Sequence, residues 1–120
     1  MHEASIVQAL LDSIEREASK HGARSVVRIE ISVGPLSGVE PDLLRSAFEM
    51  MREGTVASSA ILSIESPGIA CRCRACGASV EAERLALLCA ACGSRDVELV
   101  RGDELMLNRL ELELEEVRHV

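Results

Sequence analysis

The stretch CRCRACGASVEAERLALLCAACG (residues 71–93) holds all five cysteines of a 120-residue chain. Within it, CRACG (73–77) and CAACG (89–93) are near copies and give the spacing Cys73-x2-Cys76-x12-Cys89-x2-Cys92. Two residues between cysteines let one turn of backbone present two sulfurs to a single ion. Two such knuckles supply four thiolates, the donor set of a closed tetrahedral Zn(II) site with no position left for a substrate. Gly77 and Gly93 permit the positive backbone angle at which N–H groups turn toward the sulfurs. A closed site is structural, and zinc binding contributes on the order of 10–16 kcal/mol to folding such a segment. That offsets a thin supply of apolar residues, mainly Leu85, Leu87 and Leu88. Iron in a rubredoxin-like cage uses the same ligands, and two disulfides would use the same sulfurs. A thioredoxin-type motif fits less well, because it needs one pair beside a βαβ unit. Cys71 lies outside the pattern and reads as an ordinary thiol at a strand end.

The flanks have a different character. Upstream, AILSIESP (60–67) reads as a strand closed by Pro67 and Gly68. Before it, Pro41 fits the first turn of a helix with Glu40 just ahead, and Gly54 ends it. Leu43, Leu44, Ala47, Phe48 and Met51 form the apolar face of that helix, and Met50 and Met51 beside Phe48 read as core filling. SVVRIEISV (25–33) alternates, with Val27, Ile29, Ile31 and Val33 on one side and Arg28, Glu30 and Ser32 on the other. GPLSGVEPD (34–42) is the loop between them. Residues 4–20 carry Ile6, Val7, Leu10, Leu11, Ile14 and Ala18 at helical spacing, with Gly22 as the stop. His21, at that helix end, reads as a cap on carbonyls. Downstream, ELMLNRLELELEEV (104–117) alternates Leu110, Leu112 and Leu114 against Glu111, Glu113 and Glu115, a long strand with a solvated acidic face that includes Glu116. The expected fold is α+β. A small three-stranded sheet with two helices is assembled from residues 1–70 and 101–120, and a zinc-ribbon-like unit, 71–100, is inserted between its second and third strands.

Composition narrows the function. The net charge is -7, and the chain has one Phe and no Trp or Tyr. A phosphate-binding surface needs clustered Lys and Arg, and a platform for single strands needs rings. Arg72, Arg74, Arg84 and Arg95 lie near the cysteines, where they offset the net charge of minus two on a four-thiolate zinc. The same arginines keep a zinc-ribbon nucleic-acid adaptor as the alternative reading. No segment has the roughly 20 apolar residues of a membrane span, and no signal peptide is visible, so the cytoplasm is the expected compartment. The only histidines are His2, His21 and His119. They form no Ser–His–Asp set and no acid/base pair, and the expectation is a non-enzyme.

The chain begins MHE (1–3). The Met1 amine, the His2 backbone nitrogen and the His2 imidazole can close fused chelate rings around Ni(II) or Cu(II), which favour nitrogen-rich tetragonal sites. Glu3 adds a carboxylate. On spacing alone these read as solvent-exposed first residues rather than a chelate. Taken with VGPLSGVEPDLLRSAFE (33–49) and the paired cysteine motif (73–92), however, the whole chain resembles the HypA/HybF family of hydrogenase-maturation nickel metallochaperones. The resemblance implies a nickel-binding α/β domain and a zinc domain. It implies His2 as the essential nickel ligand, with Glu3 beside it, and Glu40 as a further candidate near the site. It implies Zn(II) on Cys73, Cys76, Cys89 and Cys92. The implied partners are a HypB-type GTPase, the large subunit of [NiFe]-hydrogenase and, for some members, urease maturation proteins. A homodimer is a further option the family carries.

Overall fold

The computed structural model describes residues 2–82 and 88–114. Met1, Arg84, Leu85, Leu87, Glu115, Glu116 and His119 lie outside the described residues. The elements run α1 (His2–Lys20), β1 (Ala23–Val33), α2 (Pro41–Met51), β2 (Ile61–Glu65), β3 (Ile69–Cys73), β4 (Ser79–Ala82), β5 (Val97–Arg101) and β6 (Leu105–Leu114). They form two sheets, one ordered β2-β1-β6 and one ordered β4-β3-β5.

The first sheet carries the hydrophobic core. In α1 the buried residues are Val7, Leu11, Ile14 and Ala18, spaced so that one stripe faces inward. α2 contributes Leu44 and Phe48, the latter fully buried. Both helices pack on Val26, Ile29, Ile31 and Val33 of β1 and on Leu62 of β2. β1 and β2 are parallel, joined through α2, and β6 returns antiparallel on the other side of β1.

The alternation expected for β1 is broken at its end, where Ser32 is buried between Ile31 and Val33, and near its middle. Val26 is buried and Val27 is 44% exposed, because the register with β6 slips between Val26 and Arg28. The bulge gives β1 an extra residue and changes which side chains face the helices. Two more expectations change in α2. Leu43 is 55% and Met50 84% exposed, so the apolar face is narrower than the sequence suggested, and of the two methionines Met51 is the one that packs on the core. His21 also differs: its ring lies 3.6 Å from the Glu17 carboxylate, while the carbonyl of Glu17 accepts from the His21 backbone N–H.

The two edges of the first sheet are finished differently. On β2, Arg45 Nη1 donates to the carbonyl of Leu62 at 2.9 Å. Arg52, lying over the Phe48 ring at 4.8 Å, donates to the carbonyl just before the strand, that of Ala60. These guanidinium groups occupy acceptors that another strand would need. β6 is ten residues long and has no such cap among the described residues.

The second sheet holds the cysteines and is antiparallel throughout. It meets the first at one crossing. Gly34 N–H donates to the Glu104 carbonyl at 2.8 Å, and Leu36 N–H to the Gly102 carbonyl at 2.7 Å. A Cβ on Gly34 would sit 2.2 Å from the Gly102 oxygen, so only glycine allows the two backbones to approach this closely. The radius of gyration is 18.9 Å, against about 14 Å for one compact unit of this length. The molecule is therefore extended, with two sheets joined at a narrow waist.

Candidate metal centres

The cysteine centre is built by two knuckles of matching geometry. Gly77 N–H donates to the Cys73 carbonyl at 2.9 Å, and Gly93 N–H to the Cys89 carbonyl at 2.8 Å. Cys73 N–H bonds the Ala78 carbonyl at 2.9 Å, and Cys89 N–H the Ser94 carbonyl at 2.8 Å. The glycines adopt φ of 77° and 75°, the left-handed conformation anticipated for them. The repeat in sequence is therefore a repeat in structure.

The four sulfurs converge. All lie within 4.8 Å of one another, with Cys73 to Cys92 and Cys76 to Cys89 each at 3.6 Å. Bonds of 2.3 Å to a tetrahedral zinc require sulfur–sulfur edges of about 3.8 Å. A disulfide requires about 2.05 Å. The arrangement fits a four-coordinate metal and is not disulfide-bonded.

Electrostatics favour the same conclusion. The Cys73 thiol is lowered by N–H groups of Cys76 and Ala75 aimed at its sulfur. Cys89 is lowered to about 6 by the N–H groups of Cys92 and Ala91. Cys92 receives the Ser94 N–H, yet it is pushed up to about 12 by the neighbouring sulfurs of Cys73, Cys76 and Cys89. Four thiolates this close repel each other, and a divalent cation is what lets all four ionise. Cys73 and Cys89 are buried while Cys76 and Cys92 are exposed, so each knuckle anchors one sulfur inside and one at the surface.

Arg72 and Arg74 were expected to offset the charge of the cluster. Their guanidinium groups are instead engaged with Glu98 of β5 and with Asp96, the residue just before that strand. Arg72 pairs with Glu98, and Arg74 reaches both Asp96 at 3.0 Å and Glu98 at 3.2 Å. Arg72 first, and Arg74 with it, holds the Glu98 carboxyl below its usual range. Arg95 is exposed. Cys71 is buried and lies outside the four-sulfur group.

The N-terminal residues are arranged quite differently. His2 is the first residue of α1 and is exposed. A helix leaves its first four N–H groups without intrahelical acceptors, so the His2 backbone nitrogen is not committed to the helix. Glu3 sits in the first turn, where a negative charge complements the helix dipole. It also borders a cleft with Ala4, Leu43, Ala47 and Met50. Sequence reasoning missed this apolar surface beside Glu3. Glu40 is the N-cap of α2, its carboxylate accepting from the Asp42 N–H at 3.4 Å. Among the described residues, only the four cysteines gather three or more ligand groups, and His2, Glu3 and Glu40 are not drawn together in that way.

Comparison with known proteins gives this pair of centres a context. Residues 1–112 match the family described as HypA, hydrogenase/urease nickel incorporation, metallochaperone. The hydrogenase maturation factor HypA of Aquifex aeolicus is 45% identical over 96% of this chain and all of its own length. That of Shewanella halifaxensis is 42% identical, covering 94% of this chain and 98% of its own. Among solved structures, the Ni metallochaperone HypA from Helicobacter pylori superposes with a TM-score of 0.69 at 31% identity, covering 94% of this chain and 98% of that one. A second HypA solution structure gives a TM-score of 0.75 at 32% identity, covering 96% of this chain and 98% of its own. A match that begins at the first residue, runs through both sheets and extends over the full length of its relatives is a match of the whole architecture: the chain belongs to the HypA family.

Proposed function

We propose that this chain is a nickel metallochaperone that takes up Ni(II) at its N-terminus and delivers it to the large subunit of [NiFe]-hydrogenase. The observation that carries the reading is the exposed His2 imidazole at the first position of α1, with its backbone nitrogen uncommitted. The Met1 amine, the His2 backbone nitrogen and the His2 imidazole form the nitrogen set, and Glu3 supplies a carboxylate beside it. Glu40 is a candidate for a further oxygen, with one carboxylate oxygen spent on its cap. Nickel is cargo here. An open site on a helix end surrenders its ion more readily than a closed cage.

Cys73, Cys76, Cys89 and Cys92 are the zinc ligands in this reading. Zinc supplies no chemistry beyond holding the two knuckles and the sheet behind them. The division into a nickel unit, 1–70 with 101–120, and a zinc unit, 71–100, accompanies that assignment. The partners are a HypB-type GTPase and the hydrogenase large subunit, with urease maturation proteins as a second set, in the cytoplasm. The chain is a carrier and not a catalyst. The nucleic-acid alternative finds little support, since Arg72 and Arg74 are tied to carboxylates and the chain carries a net charge of -7.

The test is Ni(II) titration and metal content of untagged protein, wild type beside His2→Ala. The reading expects one tightly held zinc in both and nickel uptake in the wild type alone. Nickel uptake that survives the substitution removes the N-terminal site from the account.

A further inference from the structure

The waist between the two sheets carries polar groups that its own contacts leave unused. Glu104 holds the crossing twice. Its carbonyl accepts from Gly34 N–H, and its carboxylate oxygen Oε2 accepts from Gly102 N–H at 2.9 Å. The other oxygen, Oε1, is buried and has no donor among the described residues. Ser32 of β1 is 9% exposed, and its Oγ accepts from Asn108 Nδ2. The Ser32 hydroxyl proton has no acceptor among the described residues. Glu104 and Ser32 line one cleft of about 480 Å³. Its other walls are mainly apolar: Pro67 and Ala70 beside and on β3, Val100 on β5, and Met106 on β6, directly opposite Ser32. Both sheets therefore contribute to it, and binding sites occur preferentially where two units meet. An unmatched buried donor and an unmatched buried acceptor each keep a desolvation cost that a matching partner removes.

We propose that this cleft binds an extended peptide segment of a partner protein. One peptide N–H donates to Glu104 Oε1, a peptide carbonyl accepts from the Ser32 hydroxyl, and an aliphatic side chain lies against Val100 and Met106. Chemistry selects the class of ligand. Arg101 also borders the cleft, but its guanidinium is committed to Glu81 at 2.8 Å and to the Gly68 carbonyl at 3.1 Å. An anion would therefore meet no free cation and would lie beside the Glu104 carboxylate. A cation would use Glu104 and leave the Ser32 proton unmatched. A peptide group is neutral and offers one donor and one acceptor, so it satisfies both. Met106 is 55% exposed, and its unbranched side chain swings without a change of backbone, which gives the occupant access to Oε1. A segment seated there touches both sheets and fixes how the cysteine sheet stands on the helix-bearing one. Nickel plays no part in this contact.

The experiment is an amide NMR titration of the isotope-labelled, zinc-loaded, nickel-free full chain with N-acetyl-leucine N-methylamide, a single capped residue. Saturating shifts are expected at the amides around Ser32, Val100 and Glu104, with a dissociation constant of about 1 mM. Isopentylammonium carries a similar branched aliphatic group on a cation and is expected to bind at least about fivefold more weakly. Glu104→Gln keeps an acceptor for Gly102 and turns the free acceptor into a donor. Ser32→Ala removes the hydroxyl. Each is expected to weaken the capped residue at least about fivefold. Val100→Asp leaves both polar groups in place and puts a charge in the apolar wall at an exposed position. It is expected to weaken binding by at least about fivefold, and it keeps the test decisive if a waist variant fails to fold. The absence of any saturable shift up to about 20 mM overturns the proposal. So does tighter binding of the ammonium, which would make the cleft a cation site, and so does binding that none of the folded variants weakens.

Discussion

The cysteine cluster and the proposed N-terminal nickel site of this molecule are prepared to opposite degrees. At the cysteine centre the protein prepares everything before the metal arrives. Glycines at positive φ turn two loops, backbone N–H groups point at Cys73 and Cys89, and four sulfurs stand close to the edges of a zinc tetrahedron. At the N-terminus very little is prepared. One imidazole and one carboxylate occupy the first turn of a helix, and the further candidate acid, Glu40, already caps another helix. A preorganised cage lowers the cost of binding and raises the cost of release. A partly assembled site must gather its ligands with each ion, and it lets go with less resistance. Under the proposed function, retention and delivery require different degrees of preparation, and the two regions differ in that way.

The comparison breaks most severely if a knuckle is opened. Cys89→Ser removes a buried, preorganised thiolate, and the zinc site that remains should lose most of a binding energy on the order of 10 kcal/mol. Zinc should leave on dialysis against a mild chelator, while the helical circular dichroism signal of α1 and α2 persists. Loss of both together would mean that the cysteine sheet and the helix sheet fold as one unit. At the other end, His2→Ala should reduce nickel affinity by more than about 100-fold and leave zinc content untouched. Isothermal titration beside elemental analysis separates the two.

Gly34→Ala probes the waist between the regions. Its Cβ meets the Gly102 oxygen at 2.2 Å, so the substitution should cost about 3 kcal/mol in a urea titration. Acid is a gentler probe of the cysteine sheet. The Glu98 carboxyl is held low by Arg72 and Arg74. A carboxyl depressed in the folded state stabilises fully above its ordinary range and loses that contribution as pH falls through its folded value. Zinc-sheet stability should therefore fall below about pH 4.5. The fall should be shallower in Glu98→Gln, measured by thermal melts at stepped pH. Glu40→Asn should have the smallest effect. Asn keeps the N-cap, so α2 should hold its stability, and nickel affinity should stay within about threefold of wild type if the carboxylate serves mainly as a cap. A much larger loss would make Glu40 a ligand and bring the two regions closer in kind.

Much of this was legible in the sequence, for physical reasons that differ from place to place. The period of α1 exposes its stripe, Val7, Leu11, Ile14 and Ala18, and the structure buries those four. The alternation of 104–117 reads as a strand because Glu between leucines leaves no helical face, and β6 covers Leu105–Leu114. The knuckle spacing encodes a local geometry that needs no distant partner. The strands β3, β4 and β5 were not legible, because their order comes from closure on a metal and not from apolar periodicity. IACRC offers little to a pattern search. The β1 bulge was hidden for a related reason. SVVRIEISV permits a clean alternation, and only pairing with β6 makes Val27 the residue that is left out. Exposure of Met50 and Leu43 was also invisible, since a helix shows which residues share a face but not how wide the covering partner is.

The pairing of β1 with β6 has a consequence for synthesis. Ala23 meets Leu114 across a separation that contains every cysteine. The cysteine sheet leaves the ribosome before the strand that completes the first sheet. A nascent chain can therefore close its cage on zinc while its helices still lack their third strand. A cell short of zinc would accumulate chains whose ends are held apart by an unstructured loop, and each doubling of such a loop adds about 0.6 kcal/mol to the cost of bringing those ends together. Zinc supply would then set how fast the nickel end is finished, although no zinc ever touches it.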